Sequence, residues 1–303
     1  MNTSLRLSVV IPTRGRAGPL GECLRRLQCA AENASAVNAT VEIIVSDDAG
    51  VTDPGLVANF PAATFIPGPM RGPAANRNHG ARRATGEWLV FCDDDCLPPP
   101  ELLRVYATHM AARADCHVLE GAIFADREKK HPLEEAPIND CGGNLWSCNF
   151  AIRRSVFWEI GGFCEQFPAP AGEDAELRHR LQKRGYKLQF IADACVIHHW
   201  HRRSARGYLQ QQKRIWEADM IAVRLHPELR SNFSPLVVIK DIGRYYLRQF
   251  IPELYRMGLS VVAVQPLLLW SQFRRFLAYS SGVVRRGAAM QSLSSQGPSR
   301  QTS

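Results

Sequence analysis

Trp88-Leu89-Val90-Phe91-Cys92-Asp93-Asp94-Asp95 is the stretch on which the fold of this chain turns. Five residues of apolar, strand-favouring character read as a buried strand, and three carboxylates follow without a spacer. Acids at a strand end contribute nothing to the sheet, and three adjacent carboxylates repel one another unless a cation compensates them. The pattern predicts a strand that delivers acidic side chains to the rim of a sheet.

Upstream, Leu7-Ser8-Val9-Val10-Ile11 reads as a buried strand stopped by Pro12, and Val41-Glu42-Ile43-Ile44-Val45 as a second that ends at Asp47-Asp48. Between them, residues 19–32 place Leu20, Leu24 and Leu27 on one helical face. Thr64-Phe65-Ile66 is a short third strand, and residues 73–84 form a helix.

Downstream, residues 98–114 read as helix, 117–124 as strand, 126–143 as a charged loop and 147–152 as strand, with Ser155 capping a short helix. Gly172-Glu173-Asp174 opens a helix that runs to Lys183 and ends at Gly185. This alternation is that of an α/β protein with a mostly parallel sheet. In such sheets ligands bind beyond the carboxyl ends of the strands, where Thr13-Arg14 and both acidic clusters fall.

These strand ends hold what a nucleotide needs. Thr13 and Arg14 offer donors, Asp47 and Asp48 accept ring or ribose hydrogens, and Arg77 supplies a cation toward phosphate. Mg²⁺ or Mn²⁺, which prefer oxygen ligands, would compensate the acidic triplet and bridge it to a pyrophosphate. No Gly-x-Gly-x-x-Gly follows the first strand and no Gly-Lys-Ser or Gly-Lys-Thr occurs, which disfavours dinucleotide and P-loop sites.

The ordered set Val10-Ile11-Pro12-Thr13-Arg14, Val45-Ser46-Asp47-Asp48, Gly72 to Gly80, Phe91 to Asp95, Gly161-Gly162-Phe163 and Gly172 to Leu177 resembles the inverting family 2 glycosyltransferases over about residues 5–200. The resemblance implies a GT-A type nucleotide-binding domain with a central mixed, mostly parallel sheet. It implies transfer of a sugar from a nucleoside diphosphate sugar, a UDP-sugar favoured, to a hydroxyl acceptor. By the same resemblance Pro12 and Thr13 lie against the nucleotide, an Asp of Asp47-Asp48 meets the base, and Arg77 reaches base or phosphates. Asp93 and Asp94 would serve ribose or metal, with Asp95 the main metal ligand and Asp93 a second.

Asp174 is the implied proton acceptor, with Glu173 beside it as rival or as a group orienting the acceptor. In His198-His199-x-His201, His199 is the first choice to complete the metal shell and His201 the second. Asn144, Trp146 and Asn149, after the Gly142-Gly143 loop, are candidates to meet the acceptor: a saccharide, a lipid-linked sugar or a small molecule. The middle Asp94 departs from the family's more usual small or apolar residue, which leaves the division of labour in the triplet open.

The remaining third differs in charge. Of the net +8, residues 200–287 carry 15 Lys and Arg against 5 Asp and Glu, while residues 1–199 carry 21 against 24. Ser204 to Leu225 reads as helix, and 233–281 as several short helices broken by Pro235, Pro252 and Pro266. The uncharged run Met257–Phe273, flanked by Arg256 and Arg274-Arg275, is 17 residues long, short of a bilayer span.

The expected domains are therefore 1–200 catalytic, 201–287 a basic helical C-terminal extension that contacts an anionic membrane surface, packs on the catalytic domain or meets a second copy in a homo-oligomer, and 288–303 a disordered tail. Nine scattered cysteines, an odd number, read as reduced thiols, and the N-terminus lacks the pattern of a signal peptide. The expected location is cytoplasmic, with a peripheral position on the inner face of a membrane. Two other functions bear weighing: a sugar-nucleotide nucleotidyltransferase, whose glycine-rich segment after the first strand is not matched here, and nucleic-acid binding through the basic third, where no named motif occurs and none is expected to bind.

Overall fold

The computed structural model describes residues 4–50, 52–113 and 115–280. The chain forms β1 (Leu5–Thr13), α1 (Ala17–Ala34), β2 (Ala39–Asp47), α2 (Pro54–Asn59), β3 (Ala63–Pro67), α3 (Pro73–Arg83), β4 (Trp88–Cys92) and β5 (Cys96–Leu97). It continues with α4 (Leu102–Ala112), β6 (Val118–Ala125), β7 (Glu134–Glu135), β8 (Asn149–Arg153), α5 (Arg154–Glu159) and α6 (Glu173–Lys183). There follow β9 (Leu188–His198), β10 (His201–Arg202), α7 (Ala205–Leu225), α8 (Pro235–Arg248), α9 (Phe250–Met257) and α10 (Leu259–Ser280). Two compact units result: Met1–Glu128 with Ala136–Trp200, and Lys129–Glu135 with His201–Ser303.

The first unit is built on an eight-stranded sheet in the order β3-β2-β1-β4-β8-β6-β9-β5. β1 pairs in parallel with β2 and β4, β2 with β3 and β6 with β9, whereas β4–β8, β6–β8 and β5–β9 are antiparallel. The sheet is thus mixed and mostly parallel. Successive side chains of a strand face opposite ways, so Val9 packs with Leu24 and Tyr106 on one face while Val10 packs with Ala81, Phe157 and Leu177 on the other. Strands buried on both faces read as continuous apolar runs, which is why β1 and β4 are visible in the sequence.

Local chemistry sets the helix starts that matter for the site. Gly72 adopts φ 92° ahead of Pro73, and a Cβ there would lie 2.5 Å from the Pro168 carbonyl oxygen, so the sharp entry into α3 requires glycine. Gly172, at φ 84°, turns the chain into α6, whose first turn carries Glu173, Asp174 and Glu176 at the positive end of the helix dipole.

Several expected boundaries move. β1 runs past Pro12 to Thr13: beyond Val10 it pairs with β2 alone, so proline's missing N–H takes no bond from β4. The helix expected from residue 98 begins at Leu102, and Ser155 lies inside α5, where Arg153 is the N-cap. β9 went unread because a register shift opposite Gly121 and Ala122 interrupts its alternation.

In the second unit, β7 pairs with β10 in a small antiparallel ribbon, so part of the expected 126–143 loop groups with the C-terminal region. Ser204 caps α7 by accepting from Gly207 N at 3.1 Å. Pro235 and Pro252 sit in first turns of α8 and α9, but Pro266 lies inside α10, which runs through it. Among the described residues no helix is long and apolar enough to cross a membrane. The expected disordered tail, 288–303, lies outside the described residues.

Candidate active site

The ends of β1, β2 and β4 converge. Thr13 Oγ1 donates to Asp94 Oδ2 at 2.6 Å, and Asn76 Nδ2 of α3 donates to the carbonyls of Thr13 and Ser46 at 3.1 and 3.0 Å. Pro12 is buried beside Ser46 on β2. Asp47 Oδ1 accepts from Gly15 N and Ala49 N, at 3.0 and 2.9 Å, and Asp48 Oδ1 accepts from Met70 N at 2.9 Å. These bonds hold the loops after β1, β2 and β3 around one cleft rim.

The acidic triplet is compensated by two arginines. Arg16 donates from Nη1 to Asp94 Oδ1 at 2.8 Å and from Nη2 to Asp95 Oδ2 at 2.7 Å. Arg14, expected to offer a donor to the nucleotide, is exposed, and beyond Gly15 at φ 64° it is the partly exposed Arg16 that reaches the acids. Burial pushes the Asp94 carboxyl up to about 6, against the pull of Thr13 and Arg16.

Arg77, buried on α3, bridges the third acid to the helix-α6 pair. Its Nη2 lies 2.7 Å from Asp93 Oδ1 and its Nη1 3.1 Å from Glu173 Oε1. Burial alone would lower the Arg77 pKa, but Asp93 and Glu173 outweigh it and hold the guanidinium firmly charged. Next to Glu173, Asp174 Oδ2 accepts from Ser147 N at 3.1 Å, while Asp174 Oδ1 and Glu173 Oε2 are buried and accept no hydrogen bond. Burial raises both carboxyls; the neighbouring Asp174 adds to the rise of Glu173, and Arg77 holds back that of Asp174. The arrangement therefore contains two buried oxygens able to take a proton, within a site whose charges are otherwise paired.

The histidine at the triplet is His198, not the expected His199. His198 ends β9 directly opposite Cys96 on β5, and its Nε2 lies 3.2 Å from Asp95 Oδ1. The next residue on a strand faces the other way, so His199 Nδ1 pairs instead with Asp126 at 2.7 Å, half exposed. His201 lies on exposed β10 of the second unit.

His198 Nδ1 sits 2.8 Å from the His199 carbonyl, which can only accept, so Nδ1 carries a proton and Nε2 is the nitrogen turned to Asp95. Ligand atoms of Asp95, Cys96 and His198 lie within 4.8 Å of one another. A carboxylate and an oriented imidazole, in a cluster that already draws a guanidinium onto itself, fit a divalent cation.

A model of the family described as Glycosyl transferase family 2 matches residues 8–164. The chain belongs to glycosyl transferase family 2. It is 27% identical over 267 residues to a validoxylamine A glucosyltransferase of Streptomyces hygroscopicus subsp. jinggangensis (strain 5008), covering 74% of this chain and 61% of that protein. It is also 27% identical over 252 residues to a pre-mycofactocin glycosyltransferase of Mycobacterium tuberculosis (strain CDC 1551 / Oshkosh), covering 77% and 50%. The chain thus spans between half and about three-fifths of the length of these relatives. The solved structure of the mannosyltransferase PcManGT from Pyrobaculum calidifontis in complex with GDP-Man and Mn²⁺ aligns with a TM-score of 0.50 at 16% identity, over 96% of this chain and 88% of that one. The fold is of the GT-A type.

Around Ser147, whose N–H meets Asp174, this family 2 chain departs from expectation. Asn149 is not an acceptor residue: its Nδ2 donates to the carbonyls of Ala122 and Ala194, both at 2.8 Å, and its Oδ1 accepts from Tyr106 at 2.9 Å, which uses the side chain inside the core. Asn144 is bound into its own loop through Asn139 at 3.1 Å, whereas Trp146 is 37% exposed.

Sequence reasoning also missed Glu120. This buried acid accepts from Gly143 N, Asn144 N and Leu145 N, at 2.7, 2.7 and 2.5 Å, and so fixes the loop that presents Ser147 to Asp174. An acid inside the apolar run of β6 was the signal for it.

Proposed function

We propose that this chain is an inverting glycosyltransferase that moves a sugar from a nucleoside diphosphate sugar, with a UDP-sugar favoured, to a hydroxyl acceptor on the cytoplasmic face of a cell. The observation that carries the reading is Arg77: one buried guanidinium joins the carboxylates after β4 to the Glu173–Asp174 pair. A donor site and a proton acceptor are thereby held at a fixed distance, which is what an in-line displacement needs.

Asp174 takes the acceptor's hydroxyl proton as the acceptor oxygen forms its bond to the anomeric carbon, and the bond from that carbon to the diphosphate oxygen breaks on the opposite face. Asp174 Oδ2 is held by Ser147 N, which leaves Oδ1 to receive the proton. Glu173 keeps Arg77 in place, and Arg77 keeps Asp93 aligned. Thr13 and Asp94 line the nucleotide side, and Asp48 and Asp47 shape the wall for the base. Asp95 and His198 would hold Mn²⁺ or Mg²⁺, with Asp93 nearby toward ribose or metal. The ion supplies neutralisation of the charge that appears on the leaving diphosphate. Trp146 offers an exposed ring against which an acceptor can stack.

The names of the two relatives support sugar transfer, and the GDP-Man and Mn²⁺ of the similar structure support a nucleoside diphosphate donor with a cation. A screen of UDP-, GDP- and dTDP-sugars with purified protein and Mn²⁺ or Mg²⁺, following release of nucleoside diphosphate, tests the reading. Release from none of them, by protein that binds no nucleoside diphosphate, would overturn it.

A second reading concerns where the enzyme works. On the C-terminal helices Leu247, Tyr255 and Leu259 are 85%, 95% and 81% exposed, beside exposed Arg248 and Arg256. Apolar side chains ringed by cations suit the surface of an anionic membrane and a lipid-linked acceptor. Flotation with anionic but not neutral vesicles, lost in a Leu247→Ser/Tyr255→Ser/Leu259→Ser variant, is the expected result; equal failure to bind either vesicle sinks it.

A further inference from the structure

β5 and β9 bring a thiol to the acidic triplet, and the transfer chemistry gives it no task. Cys96 on β5 stands directly opposite His198 on β9, and residues opposed in an antiparallel pair point to the same side of the sheet. Just before them, Cys96 N donates to the Asp93 carbonyl at 3.2 Å, closing a tight turn that sets Asp95 beside the pair. One ligand atom each from Asp95, Cys96 and His198 thus falls within 4.8 Å of the other two, and all three residues are buried.

The spacing suits a small coordination shell. Asp95 Oδ1 and His198 Nε2 lie 3.2 Å apart. Two nitrogen or oxygen ligands around a tetrahedral zinc are separated by about 3.3 Å, as bonds of about 2.0–2.1 Å require. Arg16 engages the other oxygen of Asp95, Oδ2, at 2.7 Å and leaves the Oδ1 edge to His198. Three protein ligands with a fourth position for water or substrate are the pattern of zinc sites that do chemistry.

Sulfur decides which cations such a shell prefers. Mg²⁺ takes oxygen ligands, whereas thiolate favours Zn²⁺ and its heavier congener Cd²⁺, and Co²⁺ accepts the same tetrahedral set. As it stands, Cys96 Sγ donates to the Cys148 carbonyl at 3.6 Å. On coordination that proton passes to water and the sulfur binds as thiolate. The side chains of Cys92 and Cys148 lie within hydrogen-bond reach of Cys96, and their S–H groups can donate to the charge left on its sulfur, as outer partners of metal ligands do.

We propose that Cys96 is a third protein ligand beside Asp95 and His198, and that its sulfur tilts the site toward thiophilic divalent cations, Zn²⁺, Co²⁺ and Cd²⁺. The inference rests on the reading of Asp95 and His198 as cation ligands, and not on sugar transfer.

Co²⁺ added to the full chain without nucleotide reads the sulfur directly, because a thiolate–cobalt bond gives an intense near-ultraviolet charge-transfer band that oxygen and nitrogen ligands do not. The band is expected in the parent, and it should vanish in Cys96→Ser and in His198→Ala, with circular dichroism confirming each fold. By calorimetry Cys96→Ser should weaken Cd²⁺ binding at least about tenfold, the least that loss of even an outer partner costs, and Mn²⁺ binding by less. The parental band needs no variant, so the test stands should Cys96→Ser fail to fold. Absence of Co²⁺ binding, a cobalt complex without the band, or equal losses of Cd²⁺ and Mn²⁺ affinity overturns the proposal. So does a band that persists in folded Cys96→Ser or His198→Ala, which would assign it to another of the nine cysteines. Mn²⁺-dependent UDP binding is measured on the same protein: its presence without the band leaves the glycosyltransferase reading standing, and its absence with the band intact counts against that reading alone.

Discussion

Arg77 Nη1 lies 3.1 Å from Glu173 Oε1, with both side chains almost wholly buried and the two residues 96 positions apart in sequence. Removing one partner of such a pair strands the other charge in a low-dielectric site, at a cost of about 3–5 kcal/mol. Arg77→Met should therefore lower the denaturant midpoint strongly. Glu173→Gln in the same chain should recover part of the loss, since the stranded carboxylate is then gone. Additive effects of the two substitutions, measured as a double-mutant cycle, would show that the pair is not energetically coupled.

The same burial sets a pH dependence of stability. Folding raises the carboxyl pKa values of Glu173 and Asp174, chiefly by desolvation, so the folded state binds protons more tightly than the unfolded chain. The stability this contributes is fully present below the ordinary carboxylate range and is lost as pH rises through the raised values. Asp94 acts in the same direction up to about 6. Asp126 and Glu165, whose values are lowered against burial by partners led by His199 and by Asn78, act in the opposite direction. Between pH 5 and pH 8, Glu173→Gln should lose less stability than the parent, the difference approaching about 1.4 kcal/mol for each pH unit that separates the ordinary from the raised carboxyl pKa. An identical pH profile of unfolding in parent and variant would show that Glu173 is not raised.

Catalysis reads the same groups with the opposite sign. If Asp174 is the proton acceptor it must be ionised, so kcat/KM should fall on acidification with an apparent pKa above the ordinary carboxylate range. Asp174→Asn keeps the shape and the bond from Ser147 N but removes the proposed base. Loss of about 10²–10⁴ in kcat is expected, with nucleotide affinity unchanged. Retention of kcat with weakened donor binding would move the role to Glu173.

How far the sequence revealed this site depended on whether a residue's facing could be worked out. β4 and the triplet were legible because an uninterrupted apolar run allows one reading, and α6 because Gly172 and the acids after it mark a helix start. Asn149 was misplaced because reading 147–152 as strand does not say which way each side chain faces, and its position on β8 opposite Cys92 turns it into the core. Arg16 and Arg14 differ only in which side of a positive-φ glycine they occupy, which no composition records. Three histidines within four residues give no facing at all until β9 is known to end at His198, and β9 was hidden by its own irregular register.

That last difference can be tested directly. His198 Nε2 meets Asp95 and has its Nδ1 proton fixed by a backbone carbonyl, while His199 is held by Asp126. If Asp95 and His198 hold the cation, His198→Ala should weaken Mn²⁺ binding to the UDP-loaded protein by at least about tenfold, the loss seen when even an outer partner of a metal ligand is removed. Asp95→Asn should weaken it further, and His199→Ala should leave it as in the parent. Titration calorimetry or the Mn²⁺ electron paramagnetic resonance signal gives the affinities, with circular dichroism confirming the fold of each variant. Chelation with EDTA should bring UDP affinity of the parent down to that of Asp95→Asn. Should His199→Ala cost more affinity than His198→Ala, the metal shell would belong to the other histidine and the facing assigned to the end of β9 would be wrong.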